Sequence, residues 1–480
     1  MCAIRLTPPN HLLMPLTPSE KRTIAIIGAG FSGTLTAVNI LRTSQSHDLR
    51  VVLIEQAPVH ARGLAYRSRD DNHLLNVPAG NMSALVDEPD HFVSYCQNID
   101  PALNAGSFIS RRLYGEYLQN TLEDAETHHP GVLEKVTDEA IAVSPDASGN
   151  TFRVALASGS SLNATQVVLA LGHFPPRPPA AVPEALYRHI VDPWDFTTLD
   201  SLDPDKPVVI LGTGHTAIDA LFRLTSCNTT RKVVLLSRRG LLPHGHRFNP
   251  SPPCTSDYPA YLAGLPPTIR AYTRALRREA ARREADGGNW RDVINELRPH
   301  AARLWQGLPE SEQRRSLRGV ATYWDIHRHR LAPVATRRLE RLLESGQVER
   351  IAGQVAGLDM HGANLRVQIK ERHQAHARSL DIGAIVNCTG PNYDLSALSL
   401  PLVTQLGETG LIQQDRLKLG LLVDDDYRVI GAHNETVPGL FYIGPMLKAR
   451  YWEAIAVPEL RQHAYQLARN LTRPRLHEER

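Results

Sequence analysis

Cysteine is scarce in this 480-residue chain. The five present, Cys2, Cys96, Cys227, Cys254 and Cys388, are scattered, and no two form a CxxC pair. That spacing excludes a zinc ribbon and a thioredoxin-like redox pair, argues against a disulfide reductase and suits a reducing compartment. Long apolar runs are missing as well, since none reaches the roughly 20 residues a membrane-spanning helix needs. The N-terminal stretch MCAIRLTPPNHLLMPLTPSEKR has no long apolar core followed by a cleavage site, so residues 1–20 read as a flexible tail and a cytoplasmic location is the default. Charge of one sign is also lacking. With 53 Lys+Arg against 50 Asp+Glu the net charge is +3, too little to argue for nucleic acid. Heptad repeats, low-complexity tracts and the Ser-His-Asp or Cys-His patterns of covalent hydrolysis are absent.

What is present is a pair of glycine-rich strand-to-helix turns. TIAIIGAGFSGTLTA (Thr23 to Ala37) is a buried β-branched strand, a GxGxxG turn and a helix, followed by the strand LRVVLIEQ. In this βαβ context Gly28 makes the tight turn, Gly30 lets a pyrophosphate approach, and Gly33 lets helix and strand pack closely. Phe31 and Ser32 lie in the same turn, at a helix N-terminus that would face the phosphates. Glu55 ends the second strand 27 residues after Gly28, placed to take a ribose hydroxyl pair.

PVVILGTGHTAIDALFRL (Pro207 to Leu224) repeats the pattern as GxGxxA, with Gly212, Gly214 and Ala217 and with His215 and Thr216 in the turn. At the register of Glu55 it has Ser237, Arg238 and Arg239. A carboxylate there repels a 2′-phosphate and an arginine attracts it. The first turn therefore suits FAD or NAD and the second NADPH, although the two arginines also read as plain strand-end surface charge.

Two dinucleotide sites in one chain imply hydride passing from NADPH to FAD. The expected fold is α/β, with two Rossmann-like dinucleotide-binding domains, the FAD domain being interrupted by the NADPH domain, and a helical insertion. The expected boundaries are 21–200 for the first part of the FAD domain, 201–385 for the NADPH domain including the insertion 255–320, and 386–480 for the rest of the FAD domain. The strands of VVLALGHFPP and AIVNCTGP stop at Gly172 and Gly390 near domain crossovers. LFYIGP would be the late FAD strand; it ends in Gly444-Pro445, where many such enzymes have Gly-Asp. The arginines of IRAYTRALRREAARREADGG and its successor read as a solvated helical face with i,i+4 pairs.

The segments GAGFSG, GLAYRSRDDNHLLNVPAGNMSAL, RRLYGEYL, LALGHFPP, DPWD, LGTGHTAIDAL, LSRRGLLPHGH, YWDIHRHRLAP and YWEAIAVPELRQHA together resemble the bacterial FAD/NAD(P)-binding proteins of the YdhS-like kind. That group is similar to N-hydroxylating flavin monooxygenases. The resemblance implies oxygenation of a nucleophilic nitrogen or sulfur through a flavin C4a-hydroperoxide, on a small carboxylate-bearing substrate such as an amino acid like aspartate. Partners would be that substrate and O2, with neither nucleic acid nor membrane, and with a homo-oligomer allowed.

Candidate chemistry gathers in three places. Asn76 and Met82, in HLLNVPAGNMSAL, are placed to contact the flavin ring or substrate. In WDIHRHR, Arg328 and Arg330 stand at i and i+2, on one side of an extended segment, as a clamp for a carboxylate or for NADPH phosphates. The H-x-H pattern there lacks partners, and no metal is expected. In KARYWEAIAVPEL, Trp452 would stack on or shield the flavin, while Glu453 is either a helix N-terminal acid or a contact to a substrate amine. The same cofactors also fit a reductase or dehydrogenase without oxygen insertion, or a flavin-binding sensor with negligible turnover.

Overall fold

The computed structural model describes residues 22–44, 48–147, 149–226, 230–247, 257–362 and 364–473; the expected tail 1–20 lies outside them. Two sheets carry the fold. The first has the spatial order Arg428–Ile430, Thr436–Tyr442, Gln166–Leu169, Arg22–Ile27, Leu49–Glu55, Leu133–Thr137. Its four inner strands pair in parallel, as does the Leu133–Thr137 edge, and only Arg428–Ile430 runs antiparallel. The second runs Arg378–Ile382, Asn364–Glu371, Val348–His361, Val233–Ser237, Val208–Leu211, Ala384–Asn387, Ile190–Val191. Its parallel half is extended by an antiparallel hairpin and one further strand. A separate antiparallel meander, Ala140–Pro145, Phe152–Leu156 and Ser161–Ala164, joins the strand Leu133–Thr137 to Gln166–Leu169.

The apolar runs VVIL and QVVL are buried at every position because helices or loops cover both faces of these parallel strands. The helix Phe31–Thr43 is buried from Phe31 to Leu41. Its polar residues Thr34, Thr36 and Asn39 are satisfied on backbone carbonyls of their own turn or helix, which removes the cost of burying them. The C-terminal helix Val457–Thr472 packs directly on it. Thus the last segment of the chain completes the core begun by the first strand.

The second sheet takes its edge strand Ile190–Val191 from upstream of residue 201, and its strand Ala384–Asn387 spans residue 385. Between Ile269 and Arg328 the chain is helical. Part of the arginine set is the expected exposed lattice, with Arg282 and Arg283 on Glu279 and Arg314 on Glu310. Part is not: Trp305 and Leu308 pack against Leu419 and Trp452 of the late flavin-side segment, and Trp305 donates from its indole to the Ala449 carbonyl at 3.1 Å. The insertion therefore spans the two units.

Candidate functional site

The first glycine turn converges several separated pieces of chain. Gly28 has φ +103°, and a Cβ there would sit 2.3 Å from the Ala170 carbonyl oxygen. Gly30 precedes the helix Phe31–Thr43, whose first turn has no side-chain cap and no acidic residue. Its free N–H groups suit a phosphate. Glu55 accepts from the backbone N–H of Ala29 at 2.9 Å and of Ala57 at 3.1 Å, so its carboxylate is held at the strand end beside the turn. Gly444 comes back to the same place: a Cβ on it would stand 3.9 Å from the Ser32 hydroxyl. Phe31 packs on Tyr66 and Tyr114, and Met82 is enclosed in the same apolar core.

The second turn opens into a cavity of about 960 Å³. Gly212, Gly214, His215, Thr216, Arg238, Arg239 and Gly390 all line it. Gly214 faces open space within 4 Å of where a Cβ would be. The position matching Glu55 is Ser237, because Leu236 pairs with Leu211 as Ile54 pairs with Ile27. Its hydroxyl accepts from the Gly240 N–H and from Thr213, leaving the room a glutamate would fill. The two arginines separate here. Arg239 donates to the Arg318 carbonyl at 2.9 Å and covers the Tyr323 ring, whereas Arg238 is exposed and makes no ion pair among the described residues. From the first unit and the late segment, His173, Tyr393 and Lys448 complete the wall. Gly172 next to His173 also adopts positive φ.

A second cavity of about 540 Å³ lies behind this one. The partition is polar. His215 donates through Nε2 to the His329 carbonyl at 3.0 Å, and the Asn76 amide lies 3.5 Å from the same nitrogen. His246 donates to the Asn76 carbonyl at 3.0 Å. Burial holds these rings neutral, His215 at about 4 and His246 at about 3. Burial also pushes His329 well below the usual histidine range. The tautomer of His215 follows from its acceptor.

Six arginines line the smaller cavity: Arg247, Arg291, Arg298, Arg328, Arg330 and Arg461. WDIHRHR is not the extended segment its sequence suggested. Ala321–Arg328 is helical and the chain leaves the helix at His329, because Trp324 and Arg328, four residues apart, both reach Glu453. Arg328 pairs with Glu453 at 3.0 Å, both residues being buried. Arg330 turns instead to the Asn295 carbonyl oxygen of the insertion at 2.6 Å. Both still face the same cavity. Glu453 is not a helix-start acid either: the helix begins at Val457 and its first-turn acid is Glu459, which takes Arg298 in a two-point pair at 2.7 and 2.6 Å. Trp452 lines neither cavity and packs on Trp305 at 4.5 Å, with the Lys448 ammonium over its ring.

Arg291, Asn295 and Arg298 were not anticipated as site residues. Their spacing of i, i+4 and i+7 is a one-face helical pattern, and it was readable inside WRDVINELRPH. Arg461 carried no such signal, since it reaches the cavity from the C-terminal helix.

Residues 25–174 match the family model described as FAD-NAD(P)-binding, and that segment holds the first glycine turn. An uncharacterized protein of Mycobacterium tuberculosis is 23% identical over 538 residues, covering 96% of this chain and 97% of its own. Among solved structures, L-lysine 6-monooxygenase from Pseudomonas syringae is similar at TM-score 0.65 and 18% identity, over 94% of this chain and 99% of that one. The ornithine N-hydroxylase of Kutzneria sp. 744, solved with reduced FAD, NADP+ and L-ornithine, is similar at TM-score 0.59 and 16% identity, over 95% and 99%. The Rossmann-like fold is shared with those two enzymes over 94–95% of this chain.

Proposed function

We propose that the protein is an NADPH-dependent flavoprotein monooxygenase that hydroxylates a nucleophilic nitrogen, or a sulfur, of a small carboxylate-bearing molecule. The observation that carries this reading is an FAD-type turn and an NADPH-type turn in one chain, with the cavity at the second turn separated from an arginine-lined cavity by a His-Asn partition. Two of the similar solved structures are amino-acid N-oxygenating enzymes, which supports the same class.

The residues fit FAD at the first turn. The uncapped helix start takes the pyrophosphate, Glu55 the adenosine ribose, and the bare backbone of Gly444 beside Ser32 stands where a flavin side chain would pass. Bound flavin supplies hydride acceptance and oxygen chemistry. At the second turn Gly212 makes the tight turn against Cys388, Gly214 would leave the space for a pyrophosphate, and Arg238 would take the 2′-phosphate. Asn76 and His215 orient the groups that meet at the partition, and the neutral histidines keep that seam free of added charge. Arginines would hold the substrate anion, and the Trp305–Trp452 packing ties the insertion to the late segment.

The test is to reduce the flavin-loaded protein with NADPH and with NADH, then to follow O2 consumption against hydroxylated product for a panel of amines and amino acids. NADPH preference with product matching O2 supports the reading. Fast reduction with all O2 recovered as hydrogen peroxide across the panel makes the protein a reductase, and no reduction by either nucleotide leaves a sensor.

A further inference from the structure

The six cavity arginines are not equivalent. Arg247 is paired with Asp292, Arg298 with Glu459 and Arg328 with Glu453. The other three, Arg291, Arg330 and Arg461, have no carboxylate partner among the described residues. Arg291 gives its Nε and Nη2 to the Gly245 carbonyl and lies over the Trp290 ring at 4.4 Å. Arg461 gives Nη1 to the Ser83 carbonyl. Arg330 is the most enclosed of the three, only 4% exposed. One of its nitrogens reaches the neutral Asn295 amide, and its Nε has no partner. Burial first, then the neighbouring Arg328, Arg291 and Arg247, lowers its pKa to about 9.

A buried guanidinium with no ion-pair partner and an incomplete set of acceptors is destabilising; Asp292 reaches Arg330 only at longer range and is already paired with Arg247. Arg328 is the opposite case. It keeps one unpartnered terminal nitrogen, but its charge is matched by Glu453, and that pair ties the end of the helix Ala321–Arg328 to the late flavin-side segment. We infer that Arg330, with Arg291 beside it across Trp290, is the binding site for one carboxylate of the substrate, and that Arg328 with Glu453 is a strut. The planar fork of Arg330 suits two-point carboxylate contact. Its place in the cavity as a substrate subsite rests on the monooxygenase reading; its affinity for a carboxylate does not.

The experiment uses the full-length, FAD-loaded protein without NADPH or substrate. Thermal unfolding is measured against propionate, inorganic phosphate and chloride at constant ionic strength, and propionate binding is followed by calorimetry. Propionate is expected to raise Tm saturably in the native protein, with chloride having little effect and any phosphate effect, which the second turn can also give, surviving Arg330→Gln. Arg330→Gln should abolish that response and Arg330→Lys weaken propionate binding at least tenfold. In the ligand-free state Arg330→Gln should melt at or above the native temperature, because an unmatched charge is removed. Arg328→Gln should melt lower, because Glu453 is left buried and unpaired. A propionate response that survives Arg330→Gln, no saturable propionate response in the native protein, or a phosphate response abolished by Arg330→Gln, overturns the assignment. So does ligand-free Arg330→Gln melting as low as Arg328→Gln. None of these readouts involves O2 or NADPH, so failure of the monooxygenase reading leaves them unmoved.

Discussion

The two glycine turns match bond for bond in their backbones and part company at their side chains. Gly28 donates to the Ile54 carbonyl and Gly212 to the Leu236 carbonyl, each at 2.8 Å; Ala170 donates to Ile27 and Cys388 to Leu211, again at 2.8 Å. Both glycines have φ +103°, and an added Cβ would lie 2.3 or 2.2 Å from the facing carbonyl oxygen. Three of the differences bear on the ligand. Glu55 stands where Ser237 stands, Gly33 where Ala217 stands, and Phe31, packed on tyrosines, where His215 reaches the partition. The backbone makes the same glycine-turn cradle twice, and the strand-end side chain is among the groups that set the two apart.

The harshest way to break the comparison is to put a methyl group at either turn. Gly28→Ala and Gly212→Ala each face a carbonyl clash and a left-handed backbone, a cost on the order of 3 kcal/mol or more. The first should lose bound FAD on purification. The second should keep flavin, read by its absorbance, but lose reduction by NADPH; equal loss of flavin in both would end the division of labour. Glu55→Ala comes next, because it strands the Ala29 and Ala57 N–H groups and should cost about 1–3 kcal/mol in thermal unfolding together with FAD affinity.

Arg238→Ala should cut the preference for NADPH over NADH roughly ten- to a hundredfold, corresponding to about 1.5–3 kcal/mol for a charge-assisted contact. Arg239→Ala should change it far less, since Arg239 is already tied to Arg318 and Tyr323. Kinetics of flavin reduction with the two nucleotides read both.

Acid should act through the buried histidines, His215 and His246 at the partition and His463 on the C-terminal helix among them. His215 and His246 take up protons near the ordinary 6.5 when unfolded, but only at about 4 and about 3 when folded. Between those values the unfolded state binds more protons, so stability rises with pH and is lost as pH falls from about 6.5 towards 4. Melting temperature should drop across that window, and His246→Gln should flatten the drop while flavin stays bound. The smallest effect is Ala217→Gly, about 1 kcal/mol of helix propensity with NADPH use retained. Gly33→Ala, whose Cβ would meet the Gly28 carbonyl oxygen at 1.9 Å, should be severe.

Local pattern was enough for much of this molecule. A β-branched strand, glycines at fixed offsets and a helix can close only one way, so both turns and their strands were legible before any coordinates, whereas the residue matching Glu55 in register, Ser237, was fixed by the strand pairing. The helical insertion was legible too. The reason is that strand burial and turn geometry are settled within about 30 residues of sequence.

The arginine cavity needed the tertiary structure. Arg328 lies 125 residues from Glu453, and Arg298 lies 161 from Glu459. Nothing in either neighbourhood says which guanidinium finds a carboxylate and which is left without one. WDIHRHR looked extended because its local pattern carried no trace of Glu453, the distant acid that draws Trp324 and Arg328 to one side of a helix. The sequence by itself determined two cradles, because those depend on neighbours along the chain. Only the folded structure decided that a smaller cavity lies behind the larger one and that Arg330 faces it without an ion-pair partner, because charge pairing depends on neighbours in space.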